Sequence, residues 1–376
     1  MSIIHTLGSL VAINSVSAHS NAPMIKELTA RCERLGLAVT QFSYLDDNGV
    51  EKINMVATAN IEPGESSSVE LALVGHTDTV PFANDWTDAL TLTERDGRLF
   101  GRGSCDTKGF IAAALTAVEE FGVTNLRKSF ALIFTADEEV GCLGAKKLAE
   151  APPFTVRNAI VGEPTSLQPM RAGKGYCVAE VTVSGREGHS AYPAVGASAI
   201  FRAARLVNRI ESIAAQLQSE RHEAFEPPYT TLNVGVINGG TAKNIIPGSC
   251  RFTLEWRPIP GQETTRVLDM VNEAITSLRT DEPDFTAEVK ANRLDSPTET
   301  PADSPLVTML AAATGKPSGT VAFGTESPQM RELGADAVVL GPGNIREAHR
   351  TGEFVPIDEL HECTRILRSA IEHFCG

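Results

Sequence analysis

A chain of 376 residues, 42% hydrophobic and 21% charged, has the composition of a globular protein and is long enough to build two cores. Its formal charge of −14 argues against a nucleic-acid partner, which needs a basic patch. No run approaches the roughly 18–20 apolar residues that span a bilayer, and the first residues lack the basic start and apolar core of a signal peptide. The seven cysteines are scattered and form no Cys-x-x-Cys pair, which fits a reducing compartment better than a disulfide framework or zinc ribbon. A cytoplasmic protein is expected, with no membrane partner.

From residue 69 the first half alternates strand and helix patterns. Residues 69–75 read as an apolar strand, 101–106 as a glycine-rich turn, and 109–122 as a helix carrying Phe110, Ala114, Leu115, Val118 and Phe121. A strand at 130–136, a helix at 143–150 stopping before Pro152-Pro153, and a strand at 158–162 follow. This alternation predicts an α/β fold with a mostly parallel sheet covered on both faces. Near residue 176 the style changes. A strand at 177–184, a helix bearing Ile200 to Leu217, strands at 231–237 and 250–256, a helix with Val267, Val271, Ile275 and Leu278, and a strand near 285–290 make a β-α-β-β-α-β order. That is the ferredoxin-like, α+β arrangement. After three prolines the first style resumes, with a strand at 337–340 and a terminal helix. The simplest organisation is a catalytic domain of residues 1–175 plus 291–376, interrupted by an inserted domain of residues 176–290. Residues 65–68 and 218–228 read as exposed loops.

Five stations of acidic or imidazole residues stand out, four of them where apolar strands stop. They are His76, Asp106 in its glycine-rich turn, the pair Glu138-Glu139, Glu163, and His349. The crevice outside the carboxyl ends of parallel strands is where ligands bind in open α/β sheets, and imidazoles with carboxylates suit a divalent metal. Asp78, two residues after His76, is placed to accept the imidazole's second N–H. Two adjacent glutamates after so apolar a strand are costly to hold together unless cations offset them, and an unligated one would serve as general base. Each residue also has a plainer role: Asp106 as a helix cap, Glu138-Glu139 as a solvated turn, His349 as a surface histidine. The zincin helix, the Gly-x-Ser-x-Gly elbow, the Walker loop and the dinucleotide fingerprint are all missing.

Four segments carry a resemblance: Gly75-His76-Thr77-Asp78-Thr79-Val80, Gly101-Arg102-Gly103-Ser104-Cys105-Asp106-Thr107-Lys108-Gly109, Thr135-Ala136-Asp137-Glu138-Glu139 and Gly162-Glu163-Pro164. Together they resemble the motifs of the dinuclear-zinc metallopeptidase and amidohydrolase family, in order and with compatible spacing over essentially the whole chain. The resemblance implies two zinc ions per subunit, with cobalt as a substitute, bridged by Asp106. His76 and Glu163 would complete one ion's protein ligands, Glu139 and His349 the other's. Glu138 would be the general base and Asp78 the partner of His76. The inserted domain would make a homodimer contact, and His189, in Gly185-Arg186-Glu187-Gly188-His189-Ser190, would reach a neighbouring active site to stabilise the oxyanion.

Within the family, glutamate rather than aspartate at 163 points to the deacylase branch. The segments around Glu326 and His349 resemble the acetylornithine deacetylase branch more than the desuccinylases; Ser104-Cys105 and Ser327 are small departures. The implied reaction is hydrolysis of a small N-acyl amino acid, N-acetylornithine foremost. Succinyl-diaminopimelate desuccinylase, general aminoacylase or peptidase activity are the alternatives, and a non-catalytic binding relative stands apart from them. Arg257 is placed to grip an α-carboxylate with its bidentate fork, Glu326 to meet a side-chain ammonium, and Asn244 to touch the substrate from a lid or simply to form a turn.

Overall fold

Strand Ser68–His76 lies at the centre of a large sheet because it is apolar on both faces: Val69, Leu71, Ala72, Leu73 and Val74 are all fully buried. The computed structural model describes residues 2–61 and 67–376. The sheet runs, in spatial order, Ala38–Leu45, Glu51–Ala59, Phe130–Thr135, Ser68–His76, Thr155–Val161 and Asp336–Val339, with short strands beyond. Its four inner strands from Phe130–Thr135 to Asp336–Val339 are mutually parallel, so their carboxyl ends open at one edge. Leu71 and Leu73 pack into one core with Phe110 and Ile111 of helix Lys108–Phe121 and Leu360 and Leu367 of helix Ile357–Cys375. Ala72 and Val74 pack into a second core with Leu148 and Met330. Each such buried Leu or Val contributes roughly 1.5–3 kcal/mol.

The expected strand–helix alternation begins only at Ser68. Before it stand two helices, Ile3–Val11 and Ala22–Leu35, and the antiparallel strands Ala38–Leu45 and Glu51–Ala59. Glu51–Ala59 also pairs antiparallel with Phe130–Thr135, so the sheet is mixed at that side. Ala38–Leu45 buries none of its residues fully, which left little apolar periodicity to read.

By contact density the chain divides into two units. The first comprises Met1–Arg171, Glu299–Gly319 and Thr325–Gly376; the second comprises Ala172–Thr298 with Thr320–Gly324. In the second, the antiparallel sheet has the order Thr231–Gly239, Ser249–Arg257, Tyr176–Ser184, Thr286–Asp295. Cys177, Ala179, Val181 and Val183 face helices Ala199–Leu217 and Arg266–Asp281 in a core that includes Trp256, Leu206 and Ile275. Residues 218–228 contain no helix or strand. Of the loop expected at 65–68, residues 65 and 66 lie outside the described residues, and Ser68 already begins a strand. All seven cysteines are buried thiols. No helix among the described residues is long and apolar enough to cross a membrane.

Candidate metal centre

The parallel strands deliver their chemistry to the shared edge. His76 is the last residue of its strand, Glu138 and Glu139 follow Phe130–Thr135, Glu163 follows Thr155–Val161, and His349 lies in the loop after Asp336–Val339. Asp106 precedes helix Lys108–Phe121, which is drawn tight against the sheet: a Cβ on Gly162 would lie 2.2 Å from the Phe110 ring. Thr107 Oγ1 adds a 2.9 Å hydrogen bond to the Gly162 carbonyl. The two Asp106 oxygens face different imidazoles. Oδ1 is 3.0 Å from His76 Nε2, and Oδ2 is 3.1 Å from His349 Nε2. His349 Nε2 also lies 3.0 Å from Glu139 Oε2. Ligand atoms of His76, Glu138 and Glu163 fall within 4.8 Å of one another, as do those of His76, Asp106 and Glu139.

Four carboxylates and two imidazoles this close carry excess negative charge, and the titration behaviour reflects it. Burial, followed by repulsion from Asp106 and Glu138, raises Glu163 well above the usual carboxylate range. Burial likewise pushes Glu138 up to about 8, opposed by attraction to His76 and aided by repulsion from Glu139 and Asp106. Burial alone would neutralise His76, yet the hydrogen bond to Asp106 and the nearby Asp78 carboxylate raise it well above the normal imidazole value. Hydrogen bonds to Asp106 and Glu139 lift His349 to about 10. Asp106 is instead held low: its burial penalty is overcome by the two imidazoles. A donor set of carboxylate oxygens and imidazole nitrogens, with one carboxylate spanning both histidines, fits two divalent cations.

The surroundings fix these side chains in ways the sequence reading only partly anticipated. The His76 ring was expected to hand its second N–H to the Asp78 carboxylate. Nδ1 instead lies 3.0 Å from the Asp78 backbone carbonyl and 3.6 Å from its Oδ1. The Asp78 carboxylate is occupied elsewhere, accepting from the Ser17 hydroxyl at 2.7 Å and the backbone N–H groups of Glu138 and Glu139 at 3.1 and 3.2 Å. It therefore orients the adjacent glutamates as much as the imidazole. Glu353 was missed altogether. Its buried carboxylate accepts the N–H of Cys105 at 2.9 Å and of Asp106 at 3.0 Å, and pairs with Arg102 at 2.7 Å. Arg102 lay inside a motif already singled out; Glu353 follows a glycine in a stretch with no pattern.

His189, Asn244 and Arg257 belong to the second unit. The two-residue strand Gly188–His189 pairs with Ile245–Ile246, and Ser190 N–H donates to the Asn244 carbonyl at 3.1 Å, so His189 and Asn244 are neighbours. Arg257 stacks 4.5 Å over the Tyr176 ring, bonds Glu255 at 2.8 Å and donates to the Ala322 carbonyl at 2.5 Å. Glu326, expected to meet a substrate ammonium, is 1% exposed, as buried as His76. Its carboxyl sits beside Thr135, His76 and Asp78, raised to about 7 chiefly by burial, and neither oxygen has a hydrogen bond of ordinary geometry among the described residues.

The family model described as Peptidase family M20/M25/M40 matches residues 72–373. The chain belongs to this family. It is accordingly a hydrolase of a metal-dependent family. An acetylornithine deacetylase of Myxococcus xanthus is 53% identical over 373 residues, covering 99% of this chain and 97% of that protein. Among solved structures, the aminopeptidase PepT of Bacillus cereus superposes with a TM-score of 0.77 at 21% identity, covering 99% of this chain and 98% of that one. The YXEP protein of Bacillus subtilis, described as a dinuclear metal binding peptidase of the M20 family, gives 0.71 at 12% identity, covering 99% and 97%. These two structures share the fold.

Proposed function

We propose that this M20 hydrolase removes the acyl group from an N-acyl amino acid, with N-acetylornithine as its principal substrate and two zinc ions as its metals. The observation that carries the reading is Asp106, whose two carboxylate oxygens each face a separate imidazole within about 3 Å. The substrate follows from the deacetylase of Myxococcus xanthus, 53% identical from end to end, and from the glutamate at 163. In this reading His76, Asp106 and Glu163 hold one metal, and Asp106, Glu139 and His349 the other. When bound, the metals polarise the amide carbonyl and acidify the attacking water.

Glu138 is the base. Its carboxylate takes a proton from the water and returns it to the leaving amine nitrogen, a dual task suited to a group raised toward neutrality. Ser17 and Asp78 keep Glu138 and Glu139 in register through the two backbone N–H groups. Arg257 binds the α-carboxylate and Asn244 lines the substrate. His189 donates to the developing oxyanion in the site of a neighbouring subunit. The homodimer it requires is supported by exposed apolar side chains on the second unit, with Phe201, Val236 and Ile237 70%, 55% and 52% exposed, and by strand Thr231–Gly239 lying at the edge of its sheet. Seven buried thiols accord with a cytoplasmic setting.

The test is a steady-state comparison of N-acetylornithine, N-acetylcitrulline, N-acetylmethionine and N-succinyl-diaminopimelate on zinc-loaded protein. N-acetylornithine should give the highest kcat/KM, and chelation should abolish turnover until zinc or cobalt is restored. A clear preference for the succinyl substrate would move the chain to the desuccinylase reaction.

A further inference from the structure

The turn that carries Glu138 and Glu139 is closed by its own backbone bonds, with Gly141 and Cys142 N–H donating to the Glu138 carbonyl at 2.9 Å and Leu143 N–H to the Asp137 carbonyl at 3.0 Å. The Asp137 carboxylate and the N–H groups of Glu138 and Glu139, however, find their partners outside it. Asp137, just before them, has a φ of +57°, a region that residues other than glycine occupy at a cost. Those outside contacts trace a closed ring. The Lys52 ammonium donates to Asp137 Oδ1 at 2.8 Å, to the His19 carbonyl at 3.0 Å and to the Ser17 carbonyl. Ser17 Oγ donates to Asp78, and Asp78 accepts the N–H groups of Glu138 and Glu139, which brings the path back to Asp137. Tyr44 adds a strut, its hydroxyl donating to Asp137 Oδ2 at 2.9 Å.

We propose that Lys52 is the positioning residue of the site: it closes the ring that holds Asp137-Glu138-Glu139 against Asp78. An ammonium has three donors, and all three are engaged here, so Lys52 has none to offer a substrate and acts only through the turn. Lys52 is 1% exposed in strand Glu51–Ala59, and no other cation makes an ion pair with Asp137 among the described residues. Arginine is no substitute, since its flat fork cannot reach three acceptors arranged around a tetrahedral nitrogen. The inference rests on the reading of Glu138 and Glu139 given above.

The experiment compares wild type with Lys52→Met and Asp137→Asn, all zinc-loaded, by amide hydrogen exchange at Glu138 and Glu139, metal content and steady-state kinetics. Arg31→Met serves as the stability control. Arg31 is also buried and paired, with Glu27 at 2.7 Å, but lies on helix Ala22–Leu35, away from the ring. Lys52→Met should speed exchange of the two amides by about tenfold or more. It should lower kcat by about 10- to 100-fold with KM and metal content nearly unchanged. Asp137→Asn, which keeps one oxygen for Lys52 and turns its amide NH2 to the Tyr44 hydroxyl oxygen, should move the same readouts by less and stands in if Lys52→Met does not fold. Unchanged exchange and kcat in these variants would overturn the proposal, as would an equal kcat loss in Arg31→Met at matched loss of stability. Exchange reads the ring directly, so a wild-type enzyme that hydrolyses none of the N-acyl substrates would overturn the proposed reaction while exchange still decides the role of Lys52.

Discussion

Strand Ser68–His76 is buried on both faces, and its chemistry begins only at its last residue; strand Tyr176–Ser184 buries Cys177, Ala179, Val181 and Val183 and leaves the residues between them half-exposed. In the first sheet the carboxyl halves of the parallel strands carry no Asp, Glu, Lys or Arg, and those charges collect beyond the strand ends, where each needs partners. In the second, Glu180, Glu255 and Lys290 sit on the open face at little cost. The crowded edge of the first unit is thus costly to build and rich in chemistry, whereas the second unit is an amphipathic platform.

Four changes would break or sharpen that contrast. Glu138→Gln should cut kcat by about 10²–10⁴ while leaving the thermal midpoint near that of wild type, because this edge serves reaction rather than stability. A large fall in stability would mean the glutamate pair supports the fold instead. Trp256→Ala should do the reverse within its own unit. Its indole is fully buried, with Nε1 donating to the Thr264 carbonyl at 3.0 Å, so urea unfolding should register a loss of about 3–5 kcal/mol. His189→Ala should lower kcat by about 10²–10³ without altering metal content. Full activity would remove His189 from the oxyanion role.

The smallest effect concerns Lys108, which is buried with its ammonium donating to the Ile13 carbonyl at 2.9 Å. Burial lowers its pKa from 10.5 to about 7. The unfolded chain therefore binds the extra proton between those values. Stability should rise with pH across that window, by up to about 1.4 kcal/mol per unit, and the burial penalty should be complete below pH 7. Lys108→Met should flatten the slope between pH 7 and 9.

Much of this was legible in the sequence because apolar strands that stop abruptly at His76, Glu138 and Glu163 report both the sheet and its working edge. Period-two alternation marked the second unit, where helix Ala199–Leu217 carries its apolar stripe unbroken. What stayed hidden was carried by single polar residues in undistinguished places. Lys52 precedes the buried run Ile53–Ala57, and a charge there was the one available hint. Glu353 had none, since its partners Arg102, Cys105 and Asp106 lie some 250 residues away. The fate of Glu326 was likewise beyond periodicity, because whether a carboxylate is enclosed depends on what folds over it.

The sealed cysteines give the molecule a built-in clock. Cys32 and Cys375 are each pushed up to about 12, chiefly by burial, so a maleimide at neutral pH finds almost no thiolate and no route inward while the chain stays folded. The rate of alkylation in native buffer would then count opening events, residue by residue. Because Cys177 and Cys250 lie in one unit and Cys32, Cys363 and Cys375 in the other, mass spectrometry of the labelled peptides would tell which of the two opens first.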